Sequence, residues 1–142
     1  MLLHVHTARI HYSGPDRLDV TAKSATAEGK PFAPTWALVN WGLRMRSQAE
    51  QKKLRREPGA DSYADWAWKL YAMRYREQMR VSYVHQRRAW DDLLKREHVV
   101  FVCYCVDPEH CHRRVLAEIF DKLGAHDAGE LHEHAQATGS LR

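Results

Sequence analysis

Cys103, Cys105 and Cys111 fall within nine positions of a 142-residue chain, and His112, Arg113 and Arg114 follow at once. Thiols, an imidazole and guanidinium groups this close together admit three kinds of chemistry. In the first, Cys105 or Cys111 supplies a nucleophilic thiolate and His112 accepts or donates the proton. Arg113 and a helix N-terminus then hold an anionic group, because free N–H groups and the helix dipole favour negative charge. The same field depresses a thiol pKa. In the second, Cys103, Cys105, Cys111 and His112 ligate a metal ion. The CxC…CH spacing is unlike the CxxC pairs of structural zinc sites, and adjacent Cys111 and His112 on a regular helix are poorly placed to share one ion. No metal ligand set and no cofactor are therefore expected. In the third, the cysteines are small core hydrophobes and the arginines are solvated. A phosphatase-type loop fails on spacing: it needs Arg as the sixth residue after a strand-ending Cys, and that position after Cys105 is Cys111.

These groups need a strand and a helix to position them. Val99, Val100, Phe101 and Val102 form a continuous apolar run, as expected of a strand buried on both faces in a parallel sheet. Period-2 alternation puts Cys103 and Cys105 on one face and Tyr104 on the other. Asp107-Pro108-Glu109 predicts a helix start, with Asp as cap and Pro at the first position. Counting from Pro108, Val115, Leu116, Ile119, Phe120 and Leu123 form the inward stripe. Its backward extension takes in Cys111 and His112 and turns Arg113 and Arg114 outwards. Gly124 and Lys122 are stop signals. The result is a βα unit whose loop opens at the strand's C-terminal end, where ligands bind in open α/β sheets.

The run CYCVDPEHCHRRVLAEIF resembles the signature of the domain-of-unknown-function 488 (DUF488) family of small bacterial, archaeal and phage proteins. That signature couples a Cys-rich strand end to a CHR turn and a following helix. The segment from Gly14 to Ser24, GPDRLDVTAKS, is similar to a second block found in some members. The resemblance implies an α/β fold with the two blocks near one another, and it implies no particular reaction.

The totals restrict the class. With 44% hydrophobic and 28% charged residues the chain is globular in composition, and its length suits a single domain with its own core. An odd number of clustered cysteines does not resemble a secreted disulfide framework. No N-terminal stretch resembles a signal peptide, and no apolar run approaches a membrane span. A cytoplasmic location is expected. The net charge of +4 is uneven: Arg44–Arg96 carries 14 Lys/Arg against 7 Asp/Glu. A basic middle fits a nucleic acid or another polyanion as partner, or solvated helix faces.

From the beginning, Leu2–Tyr12 predicts a strand over about Val5–Ile10. His4 and His6 share one of its faces, and His4, His6 and His11 are read as filler or core histidines rather than ligands. Ser13–Asp16 is a turn signal. If the first strand pairs in parallel with Val99–Cys103, the loop after it opens at the same edge as the Cys/His/Arg turn. Arg17, Asp19 and Lys23 then become candidate contacts for an anionic substrate, or Asp19 pairs with Arg17 or Lys23 and orders the loop. A helix is expected from Pro34-Thr35 to about Arg46, with Trp36, Val39 and Leu43 inward. Ser47–Ala60 extends that helix or forms a basic loop. The next helix, Tyr63 to about Tyr83, shows two apolar stripes. Trp66, Leu70 and Met73 form one; Trp68, Tyr71, Tyr75 and Met79 form the other. One is core, and the other is a further core contact, a homodimer face or a stacking surface for bases. A helix at His85–Glu97 puts Trp90, Leu93 and Leu94 inward. Ala125–Leu131 predicts a last parallel strand closing a right-handed crossover, and 132–142 is expected to fray. There is no internal repeat, no GxGxxG and no GxxxxGK[ST] loop.

The sequence thus predicts an α/β protein over residues 1–131: a small, mostly parallel sheet flanked by helices, with a helical insertion at about 34–97. Function divides between two expectations. One is an enzyme acting on a nucleotide, nucleic acid or other anionic substrate. The other is a non-catalytic nucleic-acid- or protein-binding module with buried structural cysteines.

Overall fold

The computed structural model describes residues 2–132; all of the polar tail after His132 lies outside the described residues. Four strands, β1 (His4–Arg9), β2 (Arg17–Asp19), β3 (His98–Cys103) and β4 (His126–Glu130), form one sheet in the order β2-β3-β1-β4. All neighbours are parallel, with His4 opposite both His98 and His126 and Leu18 opposite Phe101. Residues Arg9, Asp19, Cys103 and Glu130 therefore end their strands at a common edge. The pairing of β1 with β3 agrees with the sequence, and so does a parallel strand after Gly124. Edge strand β2 departs from it: Arg17-Leu18-Asp19, read as loop, is a strand. Three residues with charges at both ends are too few to show alternation.

Helices cover one face of the sheet. α1 (Trp36–Leu54) and α2 (Ala60–His85) pack on each other as a hairpin, followed by α3 (Arg87–Leu94) and, after β3, α4 (His112–Lys122). Thr35 caps α1, its hydroxyl accepting from the Leu38 N–H at 3.3 Å. The basic segment after Arg46 continues the helix to Leu54. Trp36 and Leu43 were expected to face inwards, but each is more than half exposed, and Leu38 and Ala49 are the buried α1 residues. α1 lies on α2 rather than on the sheet, so only a narrow face of small or slender side chains is enclosed. In α2 the stripe of Tyr75 and Met79, with Trp68 and Tyr71 packed beside it, is core, while Trp66 and Met73 are exposed.

Odd-numbered sheet residues Leu3, Val5, Val99 and Phe101 meet α2, α3 and α4 in the main core. Trp90 of α3 stacks on Phe120 of α4 at 4.9 Å and meets Phe32 edge-on at 5.0 Å. The Trp90 indole N–H donates to Ser82 Oγ at 3.0 Å, so its one polar atom is satisfied inside the core. Each such large apolar side chain contributes about 1.5–3 kcal/mol through burial.

The opposite face carries a second cluster, Ala8, Tyr12, Val100 and Val102, with Ile10 and Leu131 against it. At the N-terminal end of that face His98, His4 and His126 lie side by side across three strands. The His4 and His98 rings stack at 5.3 Å, and those of His4 and His126 meet edge-on at 5.6 Å. This row is a product of register and could not be seen from His4, His6 and His11 alone. Among the described residues no helix is long and apolar enough to cross a membrane.

Candidate functional site

The strand β3 delivers Cys103 to the C-terminal edge of the sheet on its helix-covered side. The chain then makes a 3-10 turn at Pro108–His110 before α4 begins at His112. Asp107 caps the turn, accepting from the Glu109 N–H at 3.0 Å. One helix from Pro108 was expected. Instead Cys111, extended at φ −143° and ψ 147°, separates two helices. Leu123, assigned to the inward stripe, is 37% exposed at the far end. There the helix stops through Gly124, at φ 104°, with Ala125 N–H bonded to Phe120 C=O and Gly124 N–H to Asp121 C=O.

The break at Cys111 decides the site, because it lets Cys111 and His112 approach the same point. Cys103 Sγ lies 3.6 Å from His112 Nδ1 and 3.7 Å from Cys105 Sγ, and Cys111 Sγ lies 3.9 Å from the same Nδ1. Cys103, Cys111 and His112 are all buried, with their three ligand atoms within 4.8 Å of one another, so among the described residues they form a group that could hold a metal ion. Cys105 is partly exposed at the mouth, and all three cysteines are free thiols.

On its other side, His112 Nε2 is 2.7 Å from the carbonyl oxygen of Val20, at the end of β2. A carbonyl only accepts, so Nε2 carries a hydrogen and donates it, and Nδ1 is the ring atom turned towards the sulfurs. The Tyr75 ring from α2 closes the pocket edge-on at 5.2 Å from His112, and its hydroxyl donates to the Phe32 carbonyl at 2.6 Å. Burial pushes the hydroxyls of Tyr71 and Tyr75 well above the ordinary tyrosine range, leaving both neutral.

Hydrogen bonding from Cys105 and then from Cys111 holds the Cys103 thiol below its ordinary value, against the opposing effect of burial, and His112 adds to the lowering. Cys105 is raised, first by its bond with Cys103. Cys111 is raised, first by burial. The cluster therefore accommodates one negative charge, centred on Cys103. Arg46 of α1 bears on Cys105 electrostatically, opposing that rise.

Arg113 does not turn outwards. Its side chain is fully enclosed, with Nε and Nη2 donating to the two oxygens of Glu130 at 3.1 and 2.9 Å and Nη1 donating to the Cys105 carbonyl at 3.0 Å. Helical counting placed Val115, Leu116 and Phe120 correctly on the buried face, with Cys111 and His112 behind them, but that face is wider at the first turn, where Glu130 at the end of β4 takes up Arg113. Arg114, also read as outward, is mostly buried and pairs with Asp127.

The loop after β1 reaches the same edge, as its parallel pairing requires. Arg17 donates to the carbonyls of Tyr12 and Ile10, both at 2.8 Å. Asp19 orders the loop, accepting from Thr21 N–H at 2.9 Å, from Thr21 Oγ1 at 2.7 Å and from Ser24. The partners are thus hydroxyls and a backbone amide rather than Arg17 or Lys23. Lys23 Nζ sits 5.2 Å over the Tyr104 ring, whose hydroxyl is 3.0 Å from Ser24 Oγ. Arg17 and Asp19 are committed to protein partners, and Lys23 lies over the ring of Tyr104, the chain neighbour of Cys105.

Several contributors were not found from the sequence. Cys103 was placed only as a strand residue or metal ligand, yet it is the thiol nearest His112. Its shared face with Cys105 was the available signal. Glu130 was foreseeable from the expected last parallel strand, which ends at the same edge. Val20 contributes a backbone carbonyl, and Tyr71, Tyr75 and Arg46 arrive from distant helices, so no local pattern marks them.

The fold and site define a small parallel α/β protein with a thiol–imidazole cluster at the C-terminal edge of its sheet. The chain belongs to the DUF488 family: residues 29–124 match the family model DUF488-N3a, described as the active DUF488-N3 subclade. The match includes Cys103–Arg113 and leaves the loop at 12–23 outside it. No curated protein and no solved structure matches the chain.

Proposed function

We propose that this protein is an enzyme that acts on a nucleotide, nucleic acid or other anionic substrate through the thiol–imidazole cluster. The observation that carries the reading is the orientation of His112: Val20 holds its Nε2–H, and its Nδ1 faces Cys103. That is the arrangement of a general base beside a nucleophile, with a third group fixing the base. The Cys103 proton passes to Nδ1, and as the partly exposed Cys105 attacks, its own proton passes to the Cys103 thiolate beside it. The Cys105 sulfur bonds to the electrophilic centre of the substrate, the bond to the leaving group breaks, and the imidazolium returns the proton to that group. Arg113 is a positioning residue here, holding the Cys105 carbonyl. Arg46, whose charge bears on Cys105, and Lys23 over the adjacent Tyr104 ring, together with the basic α1–α2 hairpin, support an anionic substrate. Membership of a subclade described as active supports an enzyme, and three free thiols suit a reducing cytoplasm.

Alkylation of the native, metal-free protein with iodoacetamide, mapped by mass spectrometry, tests this. Rapid modification of Cys105 or Cys103 at neutral pH, slowed by phosphate-bearing ligands, is expected. Labelling only after denaturation would overturn the enzyme and leave the binding module, a reading favoured by the near-complete burial of Cys103 and Cys111.

A further inference from the structure

We propose that Cys103, Cys111 and His112, with Cys105 as fourth ligand, form a binding site for a soft divalent cation of the zinc type. Tetrahedral zinc with Zn–S of about 2.3 Å and Zn–N of about 2.0–2.1 Å requires sulfur–sulfur edges of about 3.8 Å and sulfur–nitrogen edges of about 3.6 Å. The protein sets Cys103 and Cys105 sulfurs 3.7 Å apart, and His112 Nδ1 3.6 Å from Cys103 and 3.9 Å from Cys111. The ligand atoms of Cys103, Cys111 and His112 all lie within 4.8 Å of one another, so an ion among them draws these three together, while Cys105, its sulfur 3.7 Å from that of Cys103, turns in to complete the tetrahedron.

A second, independent observation is the bond on the far side of the ring. Metal-ligating histidines donate their other N–H to a carbonyl or carboxylate, which fixes tautomer and orientation. His112 Nε2 makes that contact with Val20 at 2.7 Å. The sequence objection, that neighbours on a regular helix cannot share an ion, does not apply. Cys111 is extended, and its side chain leaves the backbone outside the helical array.

Ligand chemistry narrows the class of ion. Three thiolates and an imidazole select zinc or a similar soft cation over magnesium or calcium, which take oxygen ligands. Three thiolates and a divalent ion carry a net charge of −1, beside the N-terminus of α4 and the buried Arg113, which donates to the Cys105 carbonyl. Binding releases the thiol protons and occupies the lone pair of Nδ1. The metal-bound state is therefore an inhibited state of the thiol chemistry. That consequence rests on the function proposed above, whereas the metal site rests on geometry alone.

The test is a titration of the full chain, without a His tag, reduced and stripped with a chelator, using Co(II) under anaerobic conditions. Intense visible d–d bands of tetrahedral cobalt with an ultraviolet sulfur-to-cobalt band are expected, saturating at one equivalent and erased by zinc. Cys111→Ser and His112→Gln should each weaken binding by at least the 10–100-fold typical of lost outer-shell partners. Cys105→Ser should keep cobalt bound but lower the sulfur-to-cobalt intensity by about a third, one thiolate of the three. A weak octahedral spectrum, or none, from the wild-type protein overturns the site whether or not the variants fold. Zinc should also block iodoacetamide, and a chelator should restore labelling. A metal-free protein with unreactive thiols would instead defeat the enzyme while leaving the cobalt result standing.

Discussion

Arg113 and Glu130 meet in a two-point ion pair, Nε to Oε1 at 3.1 Å and Nη2 to Oε2 at 2.9 Å, that ties the first turn of α4 to the end of β4. Thr7 Oγ1 of β1 adds a third element to the junction, donating to Glu130 Oε1 at 2.6 Å. The fully buried guanidinium has no water to replace a lost partner. Glu130→Gln should therefore destabilise the fold by about 3–5 kcal/mol, the usual cost of breaking a buried pair. Urea denaturation checks this, and Arg113→Lys should be nearly as costly because an ammonium cannot make the two-point contact.

Cys103 is held below the ordinary thiol range, so the metal-free cluster should carry thiolate at pH values where a free cysteine is protonated. Its iodoacetamide rate should fall less steeply as pH drops from 8 towards 6 than that of a free thiol of pKa about 8.5, which drops on the order of 100-fold. In His112→Gln the rate should fall and regain a steeper pH dependence. A rate for the wild-type protein that follows a free thiol would contradict the shared charge.

The imidazole of His6 is held below its usual 6.5, first by burial and then by His98, His4 and His126, with Asp127 opposing. Glu97 lies 3.6 Å from His98 and Arg114 pairs with Asp127, so these two also set the local charge. In the unfolded chain His6 takes up its proton near its ordinary pKa, whereas in the folded protein it does so only at lower pH. The unfolded state thus binds more protons below pH 6.5, and stability falls as pH drops through that window. Thermal unfolding from pH 7.5 to 5.5 should show this loss, and His6→Gln should make it shallower.

Gly29 begins the short turn into Phe32, and a Cβ placed on it would sit 1.9 Å from the carbonyl oxygen of Asp19. That contact is with backbone, so a side chain there must push the Asp19 loop away, and Val20 follows Asp19 directly. Gly29→Ala should cost about 1–3 kcal/mol, as overpacking does. It should also weaken the carbonyl bond to His112, seen as a changed thiol alkylation rate in protein that remains folded.

The sequence by itself determined the parallel sheet and much of its core. Val99–Val102 reads as a strand enclosed on both faces, the three helices before it follow from apolar spacing, and CYC…CHR marks where the chemistry concentrates. These are local signals, written in period and in residue type. The tertiary structure decided what the marked residues do. Counting from Pro108 places Val115, Leu116 and Phe120 correctly but sends Arg113 to solvent, yet the parallel pairing of β4 brings Glu130, seventeen positions later, against Arg113 and seals it. His112 acquires its direction from Val20, ninety-two residues earlier, because β2 and β3 pair in parallel and end at one edge. The histidine row likewise exists only through strand register. The extended break at Cys111 depends on the dihedral angles of one residue, and long-range contacts depend on topology. Neither leaves a pattern that can be read along the chain.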